Sequence, residues 1–266
     1  MTPVALTIAG SDPSGGAGIQ ADLKTFHQFG VYGEAVIALV TVQNTTRVSR
    51  VDVMPVSLVL EQLEAVLEDI PPGAAKTGAL GSAEMVEAVA RAAARFAFPL
   101  VVDPVMVSKH GLPLAPESAV RAFRDCLLPH AALVTPNVPE AEALTGLTIR
   151  DLQDMRRAAS RIHELGARAV LIKGGHMEGA ATDVLFDGAE WREFPALRLE
   201  TRHTHGSGCT YSAAITAGLA CGLKLGEAVA RAKAFIHEAI RTSPGLGRGC
   251  GPLNHHAKVR LYSEAI

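Results

Sequence analysis

Six consecutive residues, His205-Gly206-Ser207-Gly208-Cys209-Thr210, combine the parts of an anion site with a potentially reactive thiol. Glycines at 206 and 208 allow a turn tight enough for successive N–H groups to converge. The small-residue helical run that follows, Ser212 to Gly222, adds unpaired amides and the positive end of a helix dipole. Such a cradle holds a phosphate, or a negative charge that develops during reaction. Cys209 lies inside it, where the amides are expected to lower the pKa of the thiol. A glycine-rich strand-to-helix turn around a small buried thiol has the same composition, so the remaining chemistry of the chain has to decide between the two.

That chemistry gathers at the ends of apolar runs: Asp12, Gln43, Lys76, Asp103, Asn137, Glu140, Lys173 and Asp183. Singly, each is a common cap or turn former. Jointly, they supply what phosphoryl transfer requires, namely cations and donors around phosphates and carboxylates or amides for magnesium. Asp103, Asn137 and Glu140 suit the metal, Lys173 suits a phosphate, and the cradle amides suit the charge on the transferred group. Cys209 then faces the acceptor hydroxyl as base or proton relay. No GxxxxGK[ST] pattern occurs, which excludes a P-loop enzyme. Ser14-Gly15-Gly16-Ala17-Gly18 follows a strand, but its spacing does not match the GxGxxG of a dinucleotide site.

The elements that must position these residues alternate along the chain. Strands are expected at Val4–Ala9, Ala35–Val42, near Ala75–Gly78, at Leu100–Val102, Ala132–Thr135 and Ala169–Ile172. Helices are expected at Ile19–Phe29, Val56–Leu67, Ala83–Phe96, Glu117–Leu127, Leu152–Leu165 and Leu225–Thr242. Asp187-Gly188 between Thr182–Phe186 and Trp191–Phe194 signals a hairpin. The segment 105–116, with Gly111, Pro113 and Pro116, has no periodicity and reads as a mobile flap. Alternation without a linker predicts one three-layer α/β/α domain, residues 1–266, on a mainly parallel sheet.

Bulk properties narrow the class further. Hydrophobic residues make up 48% and charged residues 20% of 266 positions, enough for a large core. A net charge of −2 gives no electrostatic case for nucleic acid or an anionic membrane, and no apolar run is long enough to span a bilayer. Four cysteines (126, 209, 221, 250) have no metal-ligand spacing. With no signal peptide at the start, a reduced cytoplasmic protein is expected.

Taken in order, the motifs resemble the hydroxymethylpyrimidine/phosphomethylpyrimidine kinases of thiamine biosynthesis, members of the ribokinase-like superfamily. The segments are Ala9-Gly10-Ser11-Asp12, Ser14 to Asp22, Thr41-Val42-Gln43-Asn44, Lys76-Thr77-Gly78, Val102 to Met106, Thr135-Pro136-Asn137 with Glu140, Lys173 to His176, His205 to Thr210 and Gly251 to His255. They cover nearly the whole chain. The resemblance implies ATP and magnesium, a homodimer, and two successive phosphorylations of the pyrimidine. It assigns Cys209, Gly206 and Gly208 to catalysis and Gly10, Asp22, Val42 and Gln43 to the substrate. Gln43 would read the pyrimidine's amino and ring-nitrogen edge, and Val42 would pack on the ring. Lys173, Asn137, Asp183 and Thr210 fall to ATP, and Asp103 and Glu140 to the metal.

Departures from the family pattern bear on the substrate. Ala79 stands where the family typically has a methionine over the ring, which implies a roomier pocket; Ser207 replaces a threonine, and Cys250 a histidine. The alternatives are a pyridoxal kinase and a pyrimidine-binding regulator without turnover. A cysteine-dependent hydrolase would need an orienting His or Asn, and the sequence does not place one.

Overall fold

The computed structural model describes residues 2–106, 116–177 and 180–259, with the side chain of His176 left aside. Most of the segment expected to form a flap lies outside the described residues.

A nine-stranded sheet in the order β3-β2-β1-β4-β5-β6-β7-β8-β9 forms the middle layer. The strands are β1 (Val4–Ser11), β2 (Tyr32–Asn44), β3 (Arg47–Val53), β4 (Ala74–Thr77), β5 (Leu100–Val102), β6 (Leu133–Val134), β7 (Val170–Ile172), β8 (Asp183–Phe186) and β9 (Trp191–Phe194). From β2 through β7 in spatial order the pairs are parallel. Antiparallel pairs close both edges, β3 on β2 and the β8–β9 hairpin on β7.

Helices cover both faces because the strands alternate their apolar side chains between them. Leu6, Ile8, Val102, Val134, Val170 and Ile172 point to one core. It is completed by α2 (Val56–Asp69), α3 (Ala83–Ala93), α4 (Glu117–Ala122), α5 (Val138–Thr145) and α6 (Leu152–Glu164). Val101, Leu133, Leu171 and Leu185 point the other way, toward α7 (Ser207–Ala220) and α8 (Leu225–Arg241), while Ala5 packs between α7 and α1 (Gly18–Gln28). The expected three-layer α/β/α architecture is what the chain forms.

The structure adds two elements that the sequence reading leaves without assignment and moves the start of a third. The polar, half-exposed run Arg47–Val53 forms edge strand β3, since pairing with β2 rather than a buried face stabilises it. Pro136-Asn137 starts a helix, because Asn137 and Glu140 form a capping box with Pro139 in the first turn. The helix after the glycine turn begins at Ser207 rather than Ser212, which puts Cys209 in its first turn.

The chain goes from β1 to neighbouring β2 and β3, then crosses to the other side of β1 for β4. This reversal opens a crevice beyond the carboxyl ends of β1 and β4, where open α/β sheets bind ligands.

Candidate active site

A cleft of about 730 Å³ occupies that crevice. Strand ends supply Gly10 (in β1), Asp12 (after β1), Gly78 and Ala79 (after β4), Asp103 (after β5) and Lys173 (after β7), and the turn into α7 with its first residues supplies 205–209. The expected Gly10, Gln43, Asp103, Asn137, Glu140, Lys173, Gly206, Gly208 and Cys209 all line it.

The cradle depends on Gly206, whose φ of 79° is left-handed and whose Cβ, if present, would lie 1.8 Å from the carbonyl oxygen of Gly16. A Cβ at Gly208 would sit 3.3 Å from Lys173 Nζ, so glycine keeps the lysine close to the helix end. Gly18, at the start of α1, donates its N–H to the Cys209 thiol. The start of α1 therefore faces the sulfur that the first turn of α7 carries.

That placement does not make it a thiolate. Burial pushes the Cys209 thiol up to about 11; the Lys76 ammonium draws it down, and the Asp22 and Asp103 carboxylates push it up further. The expectation of a lowered pKa is thus overturned: desolvation and two carboxylates outweigh the amides.

Lys173 Nζ donates to Asp103 Oδ1 at 2.8 Å. The Asp103 carboxylate also accepts from Thr135 Oγ1 at 3.1 Å and Ser212 Oγ at 3.3 Å. Burial alone would raise Asp103, but Lys173, Lys76 and the Thr135 hydroxyl hold it below its ordinary value. Glu140 accepts from the Asn137 N–H at 2.8 Å, and burial pushes its carboxyl up to about 7 despite the pull of Lys173. No cluster of three or more His, Cys, Asp or Glu that could hold a metal by itself exists among the described residues.

Four expected ligand residues point elsewhere. Asp22 lies on the inner side of α1, fully buried, where it accepts from Lys76 Nζ at 2.9 Å and Thr7 Oγ1 at 2.7 Å. It is neither at the cleft nor solvated. Val42 is 56% exposed because strand alternation sends Thr41 and Gln43 to the cleft and Val42 away from it. Asp183 holds the turn after Lys173, accepting from the Gly174 N–H at 2.9 Å and Lys233 Nζ at 2.7 Å. Thr210 is buried and hydrogen-bonded to His255 Nε2 at 3.1 Å. Burial lowers His255 to about 4, which leaves that ring neutral.

Sequence reasoning passed over the role of His205 as a buried partner. Its Nε2 lies 2.7 Å from Asp12 Oδ2 and 3.2 Å from the Gln43 amide nitrogen. The tail places it: the His205 N–H donates to the Gly251 carbonyl at 3.1 Å, and the Cys250 N–H donates to the Thr45 carbonyl at 2.8 Å. Cys250 Sγ also donates to the Arg202 carbonyl at 2.8 Å. No helix among the described residues is long and apolar enough to cross a membrane.

The chain is similar to known proteins over most of its length. A family profile described as phosphomethylpyrimidine kinase matches residues 12–254. The chain is 46% identical over 259 residues to the hydroxymethylpyrimidine/phosphomethylpyrimidine kinase of Bacillus subtilis, covering 96% of both chains. It is 51% identical over 252 residues to the thiamine biosynthesis bifunctional protein ThiED of Geobacter sulfurreducens; the match takes in 94% of this chain but only 51% of that longer protein. Among solved structures, an ADP complex of Bacillus subtilis pyridoxal kinase superposes with a TM-score of 0.88 at 39% identity, over 97% of this chain and 98% of that one.

Proposed function

Because the chain belongs to the phosphomethylpyrimidine kinase family, we propose that it transfers the γ-phosphoryl group of ATP to 4-amino-5-hydroxymethyl-2-methylpyrimidine and then to the resulting monophosphate. The observation that carries this reading is the placement of Cys209 in the first turn of α7, with the Lys173–Asp103 pair beside the same helix end in one cleft.

In this reading the pyrimidine lies between Gly10, Ala79 and Gln43, and its hydroxymethyl group faces Cys209. The Ser207 N–H is held by the Thr204 carbonyl at 3.2 Å, so the N–H groups of Gly206, Gly208 and Cys209 receive the charge on the transferred phosphoryl group, and Lys173 neutralises its oxygens. Phosphoryl transfer is loose, so the hydroxyl loses its proton late. A thiol that titrates near 11 keeps its own proton, so it acts as a relay: it passes its S–H proton to an oxygen of the transferred phosphoryl group as it takes the proton of the hydroxyl, and the sulfur stays neutral.

Magnesium fits the donors present. The ion needs only one or two protein carboxylates beside phosphates and water, and Asp103 and Glu140 both line the cleft. They would hold it, and it would neutralise the triphosphate. Asn137 lies with them, whereas Asp22 and Thr210 contribute through buried hydrogen bonds, Asp183 through the turn that it anchors, and Val42 faces outward. The reading further includes a homodimer, with exposed Val40, Val42 and Val53 on the β2–β3 edge as the apolar surface available to it. A cytoplasmic setting suits the four free cysteines.

Pyridoxal is the second substrate to consider, since the pyridoxal kinase fold superposes closely and Ala79 leaves space over the ring. ATP consumption with magnesium, measured separately with hydroxymethylpyrimidine, its monophosphate and pyridoxal, tests both. Turnover of the two pyrimidines is expected. Turnover of pyridoxal alone would replace the reading, and ligand binding without any turnover would favour a regulator.

A further inference from the structure

The hydrogen bonds around Gln43 determine which way its amide faces. Asp12 is surrounded by donors: its carboxylate accepts from the Ser14 N–H at 2.9 Å, the Ser14 hydroxyl at 2.7 Å and the Ala17 N–H at 2.9 Å. Burial works against the ionised form, but His205 and Ser14 hold Asp12 below its ordinary pKa. A carboxylate has no proton to give, so at 2.7 Å the proton belongs to His205 Nε2, which donates to Asp12. The Gln43 NH2 group, 3.2 Å from that same nitrogen, would then set donor against donor.

A half-turn about the terminal bond of Gln43 exchanges its oxygen and nitrogen and removes the conflict. The carbonyl then accepts from His205 Nε2–H in a three-centre bond shared with Asp12. The second contact agrees independently. Thr41 Oγ1 donates its one proton to the Ser11 carbonyl at 3.0 Å, which leaves it an acceptor toward the Gln43 amide at 3.3 Å. After the half-turn, the Gln43 NH2 donates to Thr41 and every partner is complementary.

We infer that Asp12 and His205 are positioning residues that lock the Gln43 amide with its carbonyl toward the cradle and its NH2 toward Thr41, so that the cleft selects a ring carrying an amino donor beside a ring-nitrogen acceptor. The inference rests on the pyrimidine-kinase reading for its substrate. The order of donor and acceptor fits that substrate: its amino group neighbours the hydroxymethyl group that must face the cradle, and His205 opens the cradle. A ring with the reverse pattern, a carbonyl beside a ring N–H, meets like against like at both positions. It has no escape by turning over, because the hydroxymethyl group fixes its orientation.

The test compares the 4-amino ring with its 4-oxo counterpart in wild type, His205→Leu and His205→Gln, by steady-state kinetics and calorimetric binding. Leucine removes the donor, while glutamine restores an N–H near the place of Nε2. The preference for the amino ring is expected to fall at least tenfold in His205→Leu, mainly through KM rather than kcat, and to recover most of that loss in His205→Gln. An unchanged preference in His205→Leu, or a glutamine variant no better than the leucine variant, would overturn the proposal. Nitrogen-15 spectra of ligand-free wild type supply a readout independent of substrate and of variant folding: His205 Nε2 is expected to be protonated, and an unprotonated Nε2 sinks the lock. If wild type binds neither ring, the functional reading fails while these spectra still decide the lock.

Discussion

Two lysines at the carboxyl ends of parallel strands each pair with an aspartate, at nearly equal N–O distances: Lys76–Asp22 at 2.9 Å and Lys173–Asp103 at 2.8 Å. Neither side chain of the first pair has any exposure, whereas the Lys173 side chain keeps 13%. Burial alone would lower Lys76, but Asp22 and the nearby anionic groups hold it above its ordinary value, so the ammonium stays charged under the cleft. Lys173 lines the cleft itself, where a ligand can reach it. Distance and residue type are shared; access is not. A sealed pair keeps two opposite charges mutually compensated under the cleft floor, and a pair in the cleft can engage a phosphate.

Breaking the sealed pair should have the largest effect. Lys76→Met leaves the Asp22 carboxylate without its cation in a dry interior and is expected to cost about 3–5 kcal/mol in urea unfolding. Adding Asp22→Leu should recover most of that loss; no recovery would mean that the pair is not a self-contained unit. Lys173→Met is expected to divide the contributions differently. Water entering the cleft limits the stability loss to about 1–2 kcal/mol, while turnover falls roughly a hundredfold to a thousandfold. Equal stability losses for the two lysines would erase the distinction between them.

Cys209→Ala should keep ATP binding in titration calorimetry and lose turnover by about a hundredfold, the range of one positioned proton-transfer group. Near-normal turnover would remove the relay role. The smallest effect concerns pH. The Glu140 carboxyl titrates near 7, so it charges as pH rises from 6 to 8. The KM for magnesium–ATP should therefore fall several-fold over that range, and Glu140→Gln should flatten the profile. In stability the sign is opposite. A pKa raised from 4.5 to about 7 favours the folded state at low pH, and that contribution is lost as pH climbs from about 4.5 to 7.

Much of the architecture could be read before folding because its signals are local. Apolar runs with a period of two or near four and the turn at Asp187-Gly188 each act within a few residues. Edge strand β3 escaped because its sequence, Arg47-Val48-Ser49-Arg50, has no buried face to create a pattern. Helix α5 escaped because Pro139 reads as a breaker unless the capping box around it is noticed.

The sequence by itself determined the alternation that builds a parallel sheet, the collection of Asp103, Lys173 and the cradle at strand ends, and the glycines without which the cradle cannot close. Tertiary structure alone decided which polar groups face the cleft and in which charge state. Asp22 meets Lys76 from 54 residues away, and His205 meets Asp12 from 193 residues away. Burial and pairing set a pKa, and both come from elements brought together in space rather than from neighbours along the chain. The cradle could therefore be foreseen, while the protonated thiol inside it could not.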